Sequence, residues 1–139
     1  MRLKQYLNEI IGYRFSKGNV GTRGFAGTFY SISSQNRGEK EFNIKTNPRK
    51  TLVIPEKEAE AFSGLPAEAV LYLYKDSRKT YEDFKAKANK KLESGQIMDL
   101  AVAYWAKNKG YDVIVYEGYE IQDLRTITNK KILDNLTKG

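Results

Sequence analysis

Apolar positions along this chain fall into two periods. Leu3, Tyr6, Leu7, Ile10 and Ile11 recur at helical spacing, which predicts an amphipathic helix over residues 2–11, stopped by Gly12. Short β-type runs follow near 13–15, 26–32, 41–46 and 50–54. Pro55 opens a short acidic helical turn through Glu56, Glu58 and Glu60. Residues 66–75 begin with a proline suited to a helix N-terminus and read as helix, although Val70-Leu71-Tyr72-Leu73-Tyr74 also fits a strand. Thr80-Tyr81-Glu82-Asp83 resembles a capping box, and the helix behind it presents Tyr81, Phe84, Ala88 and Leu92 on one side. The clearest helix is 96–109, where Ile97, Leu100, Ala101, Tyr104 and Trp105 form an apolar stripe and Gly110 ends it. It feeds strand 111–117, beside which a strand over 124–127 is expected. Thr128 can cap a last helix through Ile132, Leu133 and Leu136. The expected fold class is α+β: one domain over residues 1–139, a mixed, mainly antiparallel sheet with flanking helices.

Composition narrows the chemistry. A chain of 139 residues can bury a core of its own but is too short for two domains. It has no cysteine and no histidine, so disulfides, thiolate or histidine zinc sites and Ser-His-Asp or Cys-His nucleophiles are all excluded. Catalysis must therefore use Asp, Glu, Lys, Tyr, Ser or Arg, or a metal held by carboxylates. No apolar run is long enough to span a membrane, and Met1-Arg2-Leu3-Lys4 has no signal-peptide layout. The expectation is a cytoplasmic protein with no membrane partner.

The net charge of +7 is unevenly placed. Residues 1–55 hold ten Lys/Arg against three Asp/Glu, whereas residues 56–139 hold fourteen of each. A localized positive field attracts polyanions, whether nucleic acid, dinucleotide phosphates or an acidic protein, although lysines also serve solubility alone. Other constellations read more plainly. Lys85, Lys87, Lys90 and Lys91 share their helix with Glu82, Asp83 and Glu93, which suits a solvated face. Trp105 lies on a core stripe, and Glu56, Glu58 and Glu60 scatter around their helix without forming a metal cluster. Gly18-Asn19-Val20-Gly21 lacks the lysine and hydroxyl of a P-loop and precedes a strand.

Two motifs carry candidate chemistry. Tyr13-Arg14-Phe15 and Gly27-Thr28-Phe29-Tyr30-Ser31-Ile32-Ser33 flank a glycine-rich basic loop, 18–24. They set an arginine, whose planar fork suits phosphate oxygens, on a strand that can pair with a serine. Near the C-terminus, Gly110-Tyr111-Asp112-Val113-Ile114-Val115 leads through a turn to Glu120-Ile121-Gln122-Asp123 and then to Asn129 and Ile132. Between them stands Phe42-Asn43-Ile44-Lys45-Thr46-Asn47-Pro48, followed by Leu52-Val53-Ile54. In order and spacing these pieces, over residues 13–54 and 101–133, resemble small phage and toxin-type ADP-ribosyltransferase-like domains of the arginine–serine–acid class.

That resemblance implies an ADP-ribosyltransferase-like fold and an NAD-dependent transferase, possible in a phage-encoded protein that modifies a host protein or nucleic acid acceptor. The implied acid is Asp123, with Glu120 as the competing candidate; Ser31 orients the arginine or the acid. Arg14 binds the NAD phosphates, Tyr30 or Phe29 flanks the nicotinamide, and Gln122 touches the acceptor. The chain departs from the pattern in offering aspartate where glutamate is usual, and Ser31-Ile32-Ser33 where Ser-Thr-Ser is usual. Two other classes fit the same residues: a non-catalytic basic binding or inhibitor protein, such as a phage accessory factor, and a magnesium-dependent nuclease, for which no convincing carboxylate pair stands out.

Overall fold

Ile10 is buried and its neighbour Ile11 is 43% exposed, the alternation of a strand and not of a helix. The expected helix over 2–11 is therefore corrected from Glu9 onward. In the computed structural model, which describes residues 9–15, 26–33, 39–62, 65–88, 92–127, 134 and 136, Glu9–Phe15 is strand β1. The strand gains seven register pairs with β3 (Glu39–Lys45), from Glu9 opposite Lys45 to Phe15 opposite Glu39. That long-range ladder outweighs a short amphipathic pattern. The part of the expected helix before Glu9 lies outside the described residues.

Strands β2 (Thr28–Ser31), β4 (Thr51–Ile54), β5 (Val113–Tyr116) and β6 (Glu120–Asp123) complete a six-stranded mixed sheet in the order β3-β1-β2-β6-β5-β4. Every pairing is antiparallel except β4 with β5. Parallel neighbours need a crossover. Here it carries all four helices described between them: α1 (Glu56–Ala61), α2 (Ala67–Leu73), α3 (Lys75–Lys87) and α4 (Ser94–Asn108). The chain is a single α+β domain with an open mixed sheet. Asp134 and Leu136 are also helical, where the last helix was expected.

Two boundaries differ from expectation. Helix α3 begins at Lys75, so Thr80 lies inside it and donates to the Asp76 carbonyl at 3.2 Å; it caps nothing. The start is set instead by extended Tyr74 and by fully buried Ser77, whose Oγ lies 2.6 Å from the Tyr74 carbonyl. The strand expected over 124–127 ends at Asp123, because the Asp123 side chain accepts the Arg125 N–H and turns Leu124–Thr126 into a 3-10 helix.

The sheet is strongly curved. Its edge strands, β3 and β4, are joined by the six residue steps from Lys45 to Thr51, which reach at most about 22 Å fully extended and less with the 3-10 turn Pro48–Lys50. Five strand spacings in a flat sheet would separate them by about 24 Å. On one face Ile10 and Ile44 of β1 and β3 belong to one buried cluster with Val113, Val115 and Ile121, and Tyr30 and Ile32 of the intervening β2 pack against it. These side chains line the concave face. The other face, through Leu52, Ile54, Ile114 and Tyr116, packs against Val70, Phe84, Leu100 and Ala101 of the helices.

Candidate functional site

Residues opposite one another in an antiparallel ladder share a face, and neighbours along a strand alternate. In the β2–β6 ladder Thr28 faces Asp123, Phe29 faces Gln122, Tyr30 faces Ile121 and Ser31 faces Glu120. The expected site residues therefore divide. Phe29, Ser31 and Glu120 lie on the helix-covered side, together with Tyr116, which is paired with Glu120 across β5–β6. Tyr30 and Asp123 lie on the concave side, with Arg14 above the Tyr30 ring at 5.9 Å. One cleft holding Arg14, Tyr30, Ser31 and Asp123 together is not what the sheet forms.

The partners of each group follow from this division. Arg14 Nη1 donates to the Phe29 carbonyl at 2.5 Å, so a backbone oxygen and not Ser31 holds the guanidinium. Ser31 Oγ donates to the Ser33 carbonyl at 2.8 Å. Asp123 is engaged on both oxygens: Arg125 Nε reaches Oδ1 at 2.8 Å, Arg125 Nη2 reaches Oδ2 at 3.1 Å, and the Arg125 N–H also points to Oδ1 at 3.1 Å. Asp123 in turn raises the pKa of that guanidinium, chiefly through the hydrogen bond. This carboxylate is a cap paired with Arg125. Gly27, at φ +95, brings the start of β2 so close that a Cβ there would run into the Asp123 carbonyl.

Glu120 has the opposite surroundings. No hydrogen-bond donor among the described residues holds it, and burial, then the nearby Asp99, pushes its carboxyl up to about 7. Asp99 comes from α4, where burial alone raises its carboxyl to about 6. Helix α4 explains that burial. A capping box between Glu93 and Gln96 starts it, and Ile97, Met98, Leu100, Ala101, Val102 and Ala103 are all buried around Asp99. The fully buried Tyr116 hydroxyl completes the group; burial, Glu120 and Asp99 together raise its pKa well above the ordinary range. Carboxyls whose pKa is displaced toward neutrality are suited to proton transfer or to charge stabilisation at physiological pH.

Gln122, expected near an acceptor, is fully buried. Its Oε1 accepts from Tyr116 Oη at 2.9 Å, and its Nε2 donates to the Ala26 carbonyl at 2.7 Å. The chain from Ala26 through Gln122 to Tyr116 ties the entry of β2 to β5 and fixes the wall against which Glu120 stands. Asp99 and Tyr116 were given no role from sequence. The available signal was a lone acid within the otherwise apolar run Ile97-Met98-Asp99-Leu100-Ala101-Val102-Ala103. Among the described residues no group of three or more acidic ligands is placed to hold a metal ion. No protein-family model, curated protein or solved structure matches the chain.

Proposed function

We propose that the chain is an NAD-dependent ADP-ribosyltransferase whose acid is Glu120, with NAD as substrate. The observation that carries this reading is Glu120 itself: a carboxyl raised to about 7, directly opposite Ser31 on adjoining strands, whereas Asp123 is consumed by Arg125. Cleavage of the nicotinamide–ribose bond sends the bonding electrons to the ring nitrogen and leaves positive character on the ribose. A carboxylate beside that carbon stabilises the charge. The bound pyridinium is itself cationic and draws the Glu120 proton off, since an opposite charge nearby favours ionisation. Asp99, whose carboxyl ionises at lower pH than that of Glu120, adds negative charge nearby. In this reading Ser31, whose Oγ donates to the Ser33 carbonyl, accepts from a ribose hydroxyl, and Phe29, on the same face, supplies an apolar wall. Arg14 lies on the other face of the sheet, so its fork is not assigned to the NAD phosphates.

The test is release of nicotinamide from NAD by the purified protein, with water, a protein extract or nucleic acid as acceptor. Wild type should release nicotinamide and Glu120→Gln should be slower by a hundredfold or more, the usual order for loss of an electrostatic contact to the transition state. Absence of release with every acceptor, or an unimpaired Glu120→Gln, overturns the reading.

A further inference from the structure

The concave side of the sheet carries a second constellation with no part in that chemistry. Tyr30 of β2 and Phe42 of β3 meet edge to face, with ring centroids 5.4 Å apart, although β1 separates their strands. Gly12 of β1 makes the meeting possible. Each ring is matched with a cation: Arg14 stands 5.9 Å from the Tyr30 centroid and Lys40 stands 5.6 Å from that of Phe42. Arg14 and Lys40 face each other in the β1–β3 ladder, so both cations sit at the same level of the sheet. The Phe29 carbonyl fixes the Arg14 guanidinium while using one of its five donors. Lys40 is exposed, the two rings are partly exposed, and β3 is an edge strand. Asp123, on the same face, is already paired with Arg125.

We infer that this face of β1, β2 and β3 binds single-stranded nucleic acid. Two aromatic rings on a sheet offer surfaces on which unpaired bases stack, and adjacent cations meet the phosphates that follow. The charge distribution supports an anionic ligand, because the whole excess of positive charge in the sequence falls in residues 1–55. Aromatic rings between the cations favour exposed bases over a duplex, whose bases are already stacked. An acidic protein would satisfy the cations but would not need two partly exposed rings. This inference is independent of the transferase reading, because Glu120, Asp99 and Tyr116 lie on the other side of the sheet.

Fluorescence anisotropy tests it on the intact protein, with labelled single-stranded RNA and DNA of about 12 nucleotides, within the range such surfaces cover. A duplex of the same length and polyglutamate serve as competitors. The single strands should bind, and the duplex and polyglutamate should compete poorly. Phe42→Leu, which keeps an apolar side chain, should weaken binding roughly five- to a hundredfold. Lys40→Gln, at an exposed position, should lower the slope of log affinity against log salt by about 0.7 between about 50 and 200 mM. Glu120→Gln should bind as wild type does. No binding of either strand, equal competition by duplex or polyglutamate, or wild-type affinity and salt slope in Phe42→Leu and Lys40→Gln overturns the inference.

Discussion

Tyr30 lies across Gly12: a Cβ at position 12 would stand 2.6 Å from the Tyr30 Cβ and 2.9 Å from the Ile44 Cδ1. The missing side chain lets an aromatic ring from β2 pass over β1 and reach Phe42 on β3. It also closes the concave face, since Ile10 and Ile44 flank the same point. The contact is with the first carbon of the tyrosine, close to the backbone, so rotation of the ring does not relieve it.

Gly12→Ala should therefore destabilise the fold by about 1–3 kcal/mol, the usual scale for overpacking a filled site. Urea unfolding measures it. A variant within about 0.5 kcal/mol of wild type would show that the strands separate without cost, against the packing described here.

Stability should fall with rising pH because of Glu120. Its folded pKa, about 7, lies above the value near 4.5 of a free glutamate, so the folded state binds the proton more tightly than the unfolded state. The favourable contribution is complete below the unfolded value and is lost as pH rises through the folded one. Asp99 of α4, raised to about 6, adds a slope of the same sign, and Tyr116 of β5 stays protonated throughout. Glu120→Gln resembles the neutral acid at every pH. It should match wild type near pH 4 and be more stable above pH 7, by up to about 3.4 kcal/mol on the conversion of 1.36 kcal/mol per pKa unit. Thermal or urea unfolding across that window checks it; a constant difference would show that Glu120 titrates normally.

The same ionisation should govern turnover. In the proposed transferase only charged Glu120 would stabilise a ribose cation, so kcat/KM for nicotinamide release should rise with pH through about 7, the pKa of the free protein. With NAD bound, the pyridinium shifts ionisation lower, and kcat should rise at lower pH than kcat/KM. Initial rates from pH 5 to 9 measure both; a kcat/KM flat across neutrality removes Glu120 as the acid.

Asp123→Ala separates the two acids. It deletes the N-cap of Leu124–Thr126 and the partner of Arg125, which should cost about 1–2 kcal/mol of stability, on the scale of other caps. Nicotinamide release per folded molecule should stay within about threefold of wild type, since that carboxylate lies on the face away from Glu120. A loss comparable to that of Glu120→Gln would return the catalytic role to Asp123.

Local patterns in the sequence already determined much of this protein. The α4 stripe, the Gly110 stop, a strand within 111–117 and the acidic turn after Pro55 are written in spacings of a few residues, and the structure has each of them, the strand shortened to Val113–Tyr116. The absence of cysteine and histidine restricted the available chemistry to carboxylates, hydroxyls, amines and guanidinium groups before any fold was known. Only tertiary structure decided that Ile10 and Ile11 belong to a strand, because their partners Ile44 and Asn43 are more than thirty positions away. The contrast between the surroundings of Asp123 and Glu120 was likewise invisible in sequence. The two acids are three residues apart on one strand, so the pleat sends them to opposite faces. One then meets the guanidinium of Arg125, and the other meets the apolar flank of α4 and the carboxyl of Asp99. The ionisation of a carboxylate depends on the solvent and charges around it, and those surroundings exist only once strands and helix are packed together.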